Sequence, residues 1–540
     1  GLHGGAGGGV NTVRLSVLLL FFGAATAFAS PAATESVITR ARLDSGVVKG
    51  TVEDGLGVFK GIPYARAPVG ALRWQPPQPP ERWHGTREAT TFGPRCMQSD
   101  RLGDIDPLNP RMSEDCLYLN VWTPARSERE RLPVMVWIHG GGFTAGAGSE
   151  PWYSGANLAR HGVVAVTINY RLDVFGFLAH PGLRAPGCEG SGNFGLMDQI
   201  AALEWVQRNI ARFGGDPGAV TVFGESAGSV SVSVLMISPA AKGLFARVIG
   251  QSGSVVIPET SPFAFLPAAE AEADGEAFVK SLGVSSVDEL RVVPAGRVLE
   301  ASLASNVPFG RFLPVIDGCV IPDPVETFAR GGQQDVPAII GWTADEGTLF
   351  NLQRRFSEQP PDFTAEIQAQ FGAHAGAILQ AYPAGSPQEA QASSDALLGD
   401  ELVAYPAWKW AELHARTARS PTYRYLFALR PPAPQVSRTP LAAPGVFHSA
   451  DIVYALDNLQ VRDWPWRDED RRLSHIMVSY WINFAKTGDP NGPGLPKWPA
   501  YEAGGKGQVM YLSAEPSSGE ERYRSRYELL DRIYRERKAR

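Results

Sequence analysis

Ser226 stands at the centre of Gly224-Glu225-Ser226-Ala227-Gly228, a G-x-S-x-G run. The β-branched stretch Ala219–Phe223 leads into it, and small residues able to start a helix lead out. A strand–turn–helix of this kind lifts a serine hydroxyl above a sheet edge, and glycines flank it because larger side chains clash in so tight a turn. The chemistry that suits such a serine is attack on a carbonyl carbon. Attack leaves negative charge on the carbonyl oxygen, where preorganised backbone donors are worth roughly 3–4 kcal/mol each. His139-Gly140-Gly141-Gly142-Phe143, at the end of an earlier apolar run, offers such donors. The amides of Gly141, Gly142 and Ala227 are the expected oxyanion hole.

A nucleophilic serine needs a base, and the base needs an orienting carboxylate. With the chain order serine, acid, histidine, the histidines available are His374, His414, His448 and His475. His448 lies in Gly445-Val446-Phe447-His448-Ser449-Ala450-Asp451, a loop-like stretch after the run Thr422–Leu429. His414 and His475 fall in helical patterns and read as surface or core positions. Asp345-Glu346-Gly347 follows the run that ends at Gly341-Trp342, and on spacing alone either carboxylate can serve. A histidine base predicts a rise of kcat/KM with an apparent pKa of roughly 6–7.

Other motifs carry little. Gly190-Ser191-Gly192-Asn193-Phe194-Gly195 satisfies G-x-G-x-x-G but follows Pro and Cys rather than a strand, so it does not read as a dinucleotide site. No G-K-[ST] follows a glycine run, and no H-E-x-x-H or Cys/His cluster suggests zinc. No metal or cofactor is expected.

The elements that must hold these residues are visible as patterns. Leu132–His139, Gly162–Tyr170, Ala219–Phe223, Ala246–Gly250 and Val336–Gly341 read as buried strands of a parallel sheet covered on both faces. Leu196–Phe213 has helical spacing and is stopped by Gly214-Gly215 and Pro217. Alternating strands and helices predict an open α/β sheet. Pro258–Phe312 and Phe356–Pro406 read as largely helical insertions above it. Arg522–Arg540 mixes arginines with Glu528, Asp531 and Glu536, and reads as a solvated terminal helix.

At 540 residues the chain can bury a large core, and its net charge of −6 argues against a general nucleic-acid binder. Arg14, the apolar run Leu15–Phe22 and the small residues up to Ala29 form a secretory signal pattern with cleavage expected after Ala29. The run is too short to span a bilayer, which takes roughly 20 residues. The expected organisation is an N-terminal extension and signal over 1–29 and a single domain over 30–540, secreted or periplasmic. Of the four cysteines, Cys96 and Cys116 close a short loop and are expected to pair. Cys188 and Cys319 read equally as a bridge or as two buried thiols.

The stretches GIPYARAPVGALRW, SEDCLYLNVW, HGGGF, NYRLDVFGFL, GLMDQ, FGESAGS, PVIDG, ADEG, GVFHSAD and WINFAKTGDPNGP resemble the type-B carboxylesterases, the family that includes cholinesterases and para-nitrobenzyl esterases. The resemblance runs from about Gly46 to Tyr501. It implies an α/β-hydrolase fold, with a large, mostly parallel sheet flanked by helices and helical insertions above it. It also implies hydrolysis of small-molecule carboxylic esters through an acyl-enzyme, without stable membrane insertion, by a monomer or weak homo-oligomer. It selects Glu346 over Asp345 as the acid, places the base at His448 and the bridge at Cys96–Cys116, and adds a second serine at Ser252. Arg73–Glu114 and Arg171–Asp198 are its structural ion pairs.

Departures bear on substrate. The Cys96–Cys116 loop has no aromatic residue to hold a choline cation, and it is too short for a lipase lid. The positions matching the bulky acyl-pocket aromatics are Pro308 and Gly310, with Phe309 and Phe312 nearby, which predicts a roomier acyl side.

Overall fold

Strands of alternating or continuous hydrophobicity join into one large sheet. In chain order they are β1 (Thr51–Glu53), β2 (Leu56–Pro63), β3 (Tyr118–Thr123), β4 (Leu132–Ile138), β5 (Val164–Ile168), β6 (Gly215–Glu225), β7 (Arg247–Gln251), β8 (Ala338–Thr343), β9 (Thr422–Phe427), β10 (Gln508–Leu512) and β11 (Ser517–Glu520). This computed structural model describes residues 8–9, 36–99, 111–304, 311–355, 357, 361–433, 444–505 and 507–539. The chain divides into two units, Gly1–Ser36 and Val37–Arg540. All but three residues of the first, and with them the signal pattern, lie outside the described residues. The second unit carries everything that follows.

The sheet order is β11-β10-β9-β8-β7-β6-β4-β5-β3-β2-β1. From β5 through β4 and β6 to β10 every neighbour is parallel, and antiparallel pairs close both edges. The chain leaves β4 for β5 on one side and returns as β6 on the other, so the order reverses at the β4/β6 gap. Open α/β sheets form their crevice at the carboxyl ends of strands beside such a reversal. The loops leaving β4 and β6 are HGGGF and the serine turn.

Side chains alternate across the pleat. Val134, Val136 and Ile138 join the core on one face, while Met135 and Trp137 join Phe223, Ile249 and Ile339 on the other. The mostly parallel α/β-hydrolase architecture is therefore present, with strand ends that differ from the apolar runs: Ala219–Phe223 lies within the longer strand Gly215–Glu225, while Leu132–His139 loses only His139. Gly162–Tyr170 yields only Val164–Ile168, because Gly162 turns at φ 87° and Asn169 accepts from the Gly148 N–H. The expected helix runs Phe194–Asn209, tightens into a 3-10 turn at Ile210–Phe213, and stops at Gly214 (φ 78°).

Both insertions are helical. The first holds Ala268–Ser281, Val287–Arg291 and Ala295–Leu303. The second holds Phe363–Phe371, Ala375–Ala381 and Pro387–Gly399, then a π-helical turn, Asp400–Ala404, that continues into Tyr405–Thr417. Tyr382 Oη donates to Asp400 Oδ2 and Tyr534 Oη to Glu401 Oε1, each at 2.7 Å. The terminal helix, Arg524–Lys538, is solvated on one face only. It buries Tyr527, Leu530, Ile533 and Tyr534, a spacing that its many charges obscured.

Cys96–Cys116 and Cys188–Cys319 are both bridged, which resolves the second pair in favour of a disulfide. Arg73 grips Glu114 with two bonds (2.6 and 2.7 Å), and Arg171 grips the fully buried Asp198 (2.8 and 2.7 Å). Among the described residues no helix is long and apolar enough to cross a membrane.

Candidate active site

The turn after β6 is strained where the chemistry was sought. Ser226 has φ 55° and ψ −123°, a conformation that costs on the order of 1–3 kcal/mol in a non-glycine residue. Its N–H donates to Gln251 O (2.8 Å), and helix Ala227–Ile237 begins directly after it. A Cβ on Gly224 would lie 2.5 Å from Ile138 O, and one on Gly228 2.0 Å from the same oxygen. The two glycines let β6 and the helix pass against the end of β4.

The β4 loop turns through three positive-φ residues, Gly141 (98°), Gly142 (61°) and Phe143 (60°). A Cβ on Gly141 would meet Ala145 O at 2.2 Å. Among the described residues no acceptor takes the N–H of Gly141, Gly142 or Ala227. His139 braces this loop from beneath: its Nδ1 bonds Gly140 O (2.8 Å) and its ring stacks on Tyr170 (4.4 Å between centroids). Burial lowers its pKa to about 4, so the ring stays neutral.

Glu346 follows β8. Its Oε1 accepts from Thr343 N (2.7 Å) and Ser252 Oγ (2.6 Å), and its Oε2 lies 2.5 Å from His448 Nδ1. Asp345 points elsewhere: its Oδ2 accepts from Val446 N (2.7 Å), which ties down the loop bearing His448. Ser226, Ser252, His448, Gly141, Gly142 and Ala227 line one cavity of about 1060 Å³. The structure thus brings the sequence-selected residues together. His414 is a buried helix residue bonded to Val336 O (2.9 Å), and His475 is an exposed helix position.

Two acids that sequence reasoning did not single out, Glu225 and Asp451, join Glu346 around the same imidazole. No hydrogen bond joins Ser226 to His448; instead His448 Nε2 lies 3.2 Å from Glu225 Oε1. Ser449 Oγ also donates to that Glu225 oxygen (2.8 Å). Asp451, fully buried, accepts from Tyr425 Oη (2.8 Å) and Gln251 Nε2 (3.1 Å), and burial lifts its carboxyl to about 6. Burial also pushes Glu225 up. Burial by itself would lower His448, but the charges of Glu225, Glu346 and Asp451 outweigh it and hold the imidazole above its ordinary value. This departs from the simple histidine limb expected from sequence. Glu225 occupies the free position of G-x-S-x-G, where the motif constrains no residue type.

The pH consequence has a definite sign. The base works neutral, so a raised pKa moves the acid limb of kcat/KM above roughly 6.5. Glu225 and His448 titrate as a pair, and the limb belongs to both. Glu225→Gln removes one stabilising charge from the imidazolium and is expected to lower the limb by about one pH unit. A pH–rate profile of both proteins reads this; an unmoved limb sinks the assignment of Glu225 as the perturbing charge.

Among the described residues no group of His, Cys, Asp or Glu is placed to hold a metal ion. Residues 100–110 of the Cys96–Cys116 loop, and Pro308, Phe309 and Gly310, lie outside the described residues. Phe312 lies against Phe278 (5.0 Å) and lines the cavity. The first insertion also reaches the site, through Pro262–Leu266 and Ala271.

Comparison with known proteins bears on this geometry. A model of the carboxylesterase family matches residues 35–530. The fumonisin B1 esterase of Sphingopyxis macrogoltabida is 37% identical over 517 residues, 92% of this chain and 90% of that one. The para-nitrobenzyl esterase of Bacillus subtilis is 38% identical over 472 residues, 84% of this chain and 91% of that one. A solved PNB esterase matches with a TM-score of 0.78 at 36% identity, covering 91% of this chain and 99% of its own.

Proposed function

Because the chain belongs to the carboxylesterase family and is a carboxylic ester hydrolase, we propose that it works through an acyl-enzyme on Ser226, with His448 as base and Glu346 as the orienting acid. The observation that carries this reading is the Ser252–Glu346–His448 chain of bonds (2.6 and 2.5 Å) ending at the cavity that Ser226 also lines. His448 rotates or shifts from Glu225 to accept the Ser226 proton as the hydroxyl attacks; apo sites are commonly looser than their substrate complexes. The developing oxyanion takes the free N–H groups of Gly141, Gly142 and Ala227. His448 then hands its proton to the leaving alkoxide, and water repeats the cycle on the acyl group. Ser252 acts through Glu346 and fixes its rotamer.

The relatives are named for fumonisin B1 and para-nitrobenzyl esters, and a cavity of about 1060 Å³ walled by Phe143, Phe177, Phe263, Phe265 and Leu313 suits a bulky, mainly apolar ester. We also place the protein outside the cytosol, as a monomer or weak homo-oligomer. The signal pattern and two disulfides support export; recovery of the protein in the cytosol with the residues before Ser30 still attached would contradict it.

A panel of para-nitrophenyl esters of rising chain length, with tributyrin titrated through its solubility limit, tests the reading. Short and medium esters are expected to turn over as monomers, with a smooth hyperbolic rate and no preference for choline esters. A sigmoidal jump at tributyrin saturation would defeat the open-site reading and assign a lid to Pro258–Phe312.

A further inference from the structure

Arg311 is the one lysine or arginine among the described residues lining the cavity. Elsewhere three buried arginines meet carboxylates: Arg73 meets Glu114, Arg171 meets Asp198, and Arg424 meets Glu521. Arg311 meets none among the described residues. Its Nη2 donates to the backbone oxygen of Asp274 (3.1 Å), and Asp274, which also lines the cavity, makes no ion pair with it. The guanidinium is held in place by rings, its carbon 5.6 Å from the centroids of both Phe278 and Phe312, which pack edge-to-face. Cation–π contact fixes the plane of the guanidinium without consuming its N–H donors. A guanidinium carries five N–H groups in a fork that matches a carboxylate. Among the described residues one of those donors has a protein acceptor.

We infer that Arg311 selects esters carrying a carboxylate remote from the scissile bond, on the acyl or the alcohol half. The inference rests on the esterase reading above and names a substrate class for it. The carboxylate takes the unused donors of the guanidinium, while the apolar walls take the intervening chain. Fixed by Phe278 and Phe312, the cation loses little freedom on binding, so its contribution is realised as affinity.

The test compares matched neutral and anionic esters. Mono-para-nitrophenyl adipate against para-nitrophenyl hexanoate reads the acyl half, and 4-(butyryloxy)benzoate against phenyl butyrate reads the alcohol half. In Arg311→Gln, kcat/KM for the anionic member of one pair is expected to fall about tenfold, mainly through KM, while its neutral partner changes less than twofold. Arg311→Lys keeps the charge and loses the fork, and is expected to fall between the two proteins. Added salt should erode the wild-type advantage and leave the variant flat. Equal losses on neutral and anionic esters would mean that Arg311 is only a wall. No loss on either anionic ester would mean that no carboxylate reaches it; either result overturns the inference. Turnover of the neutral esters reports on the esterase reading separately.

Discussion

Ser226→Ala is expected to lower kcat by on the order of 10⁵-fold or more, with the folded protein otherwise intact. The size follows from the unit behaviour of a triad: once the nucleophile is gone, base and acid have nothing to activate, and only binding and the oxyanion donors remain. Intactness follows from the backbone. Ser226 holds its place through its N–H to Gln251 O and its carbonyl to Val230 N (2.9 Å), neither of which needs the hydroxyl. A fluorophosphonate probe should label wild-type protein at Ser226 and leave the variant unlabelled. Labelling at Ser252, or near-normal turnover by the variant, would remove Ser226 from the mechanism.

The second large effect is expected at Glu346, where Glu346→Gln should cost roughly 10³–10⁴-fold in kcat. Glu346 accepts three hydrogen bonds, from Thr343 N, Ser252 Oγ and His448 Nδ1. A glutamine has one oxygen, so its amide nitrogen must face either His448 or the Thr343–Ser252 side. If it faces His448, Nδ1 becomes the acceptor, the proton moves to Nε2, and the ring can no longer take one from Ser226. If it faces the other way, the Thr343 N–H confronts a donor and the carboxamide is displaced. Asp345→Asn keeps an oxygen for Val446 N–H and should cost less than about tenfold. Thermal unfolding run alongside separates loss of chemistry from loss of fold. The opposite ranking of the two variants would assign the acid to Asp345.

That pair of neighbours also shows what a sequence discloses and what it withholds. Spacing left Asp345 and Glu346 open, because at the end of β8 adjacent side chains turn opposite ways and composition does not say which way the turn runs. The motif resemblance selected Glu346; the coordinates place it on His448 and place Asp345 on Val446. The serine turn was legible for a steric reason: Gly224 and Gly228 each leave room for Ile138 O, and no other residue type fits. Glu225 and Asp451 were not, since each acts through a three-dimensional approach to His448 that no motif constrains, and Ser449 acts through Glu225. The Cys188–Cys319 bridge spans 131 residues, too far for pairing to be read from the chain alone. In the terminal helix the charges were plain, but they masked the buried spacing of Tyr527, Leu530, Ile533 and Tyr534.

That helix reaches further than its position at the end of the chain suggests. The π-helical turn puts Leu402 and Val403 in the cavity wall, while its two acids face away, to Tyr382 and to Tyr534 of the terminal helix. The wall is therefore stayed from behind by residues that never meet a substrate. A substitution at Tyr534, remote in sequence from Ser226, Glu346 and His448, is expected to reach the cavity wall. Removing helix Arg524–Lys538 would take away the Tyr534 bond behind that wall.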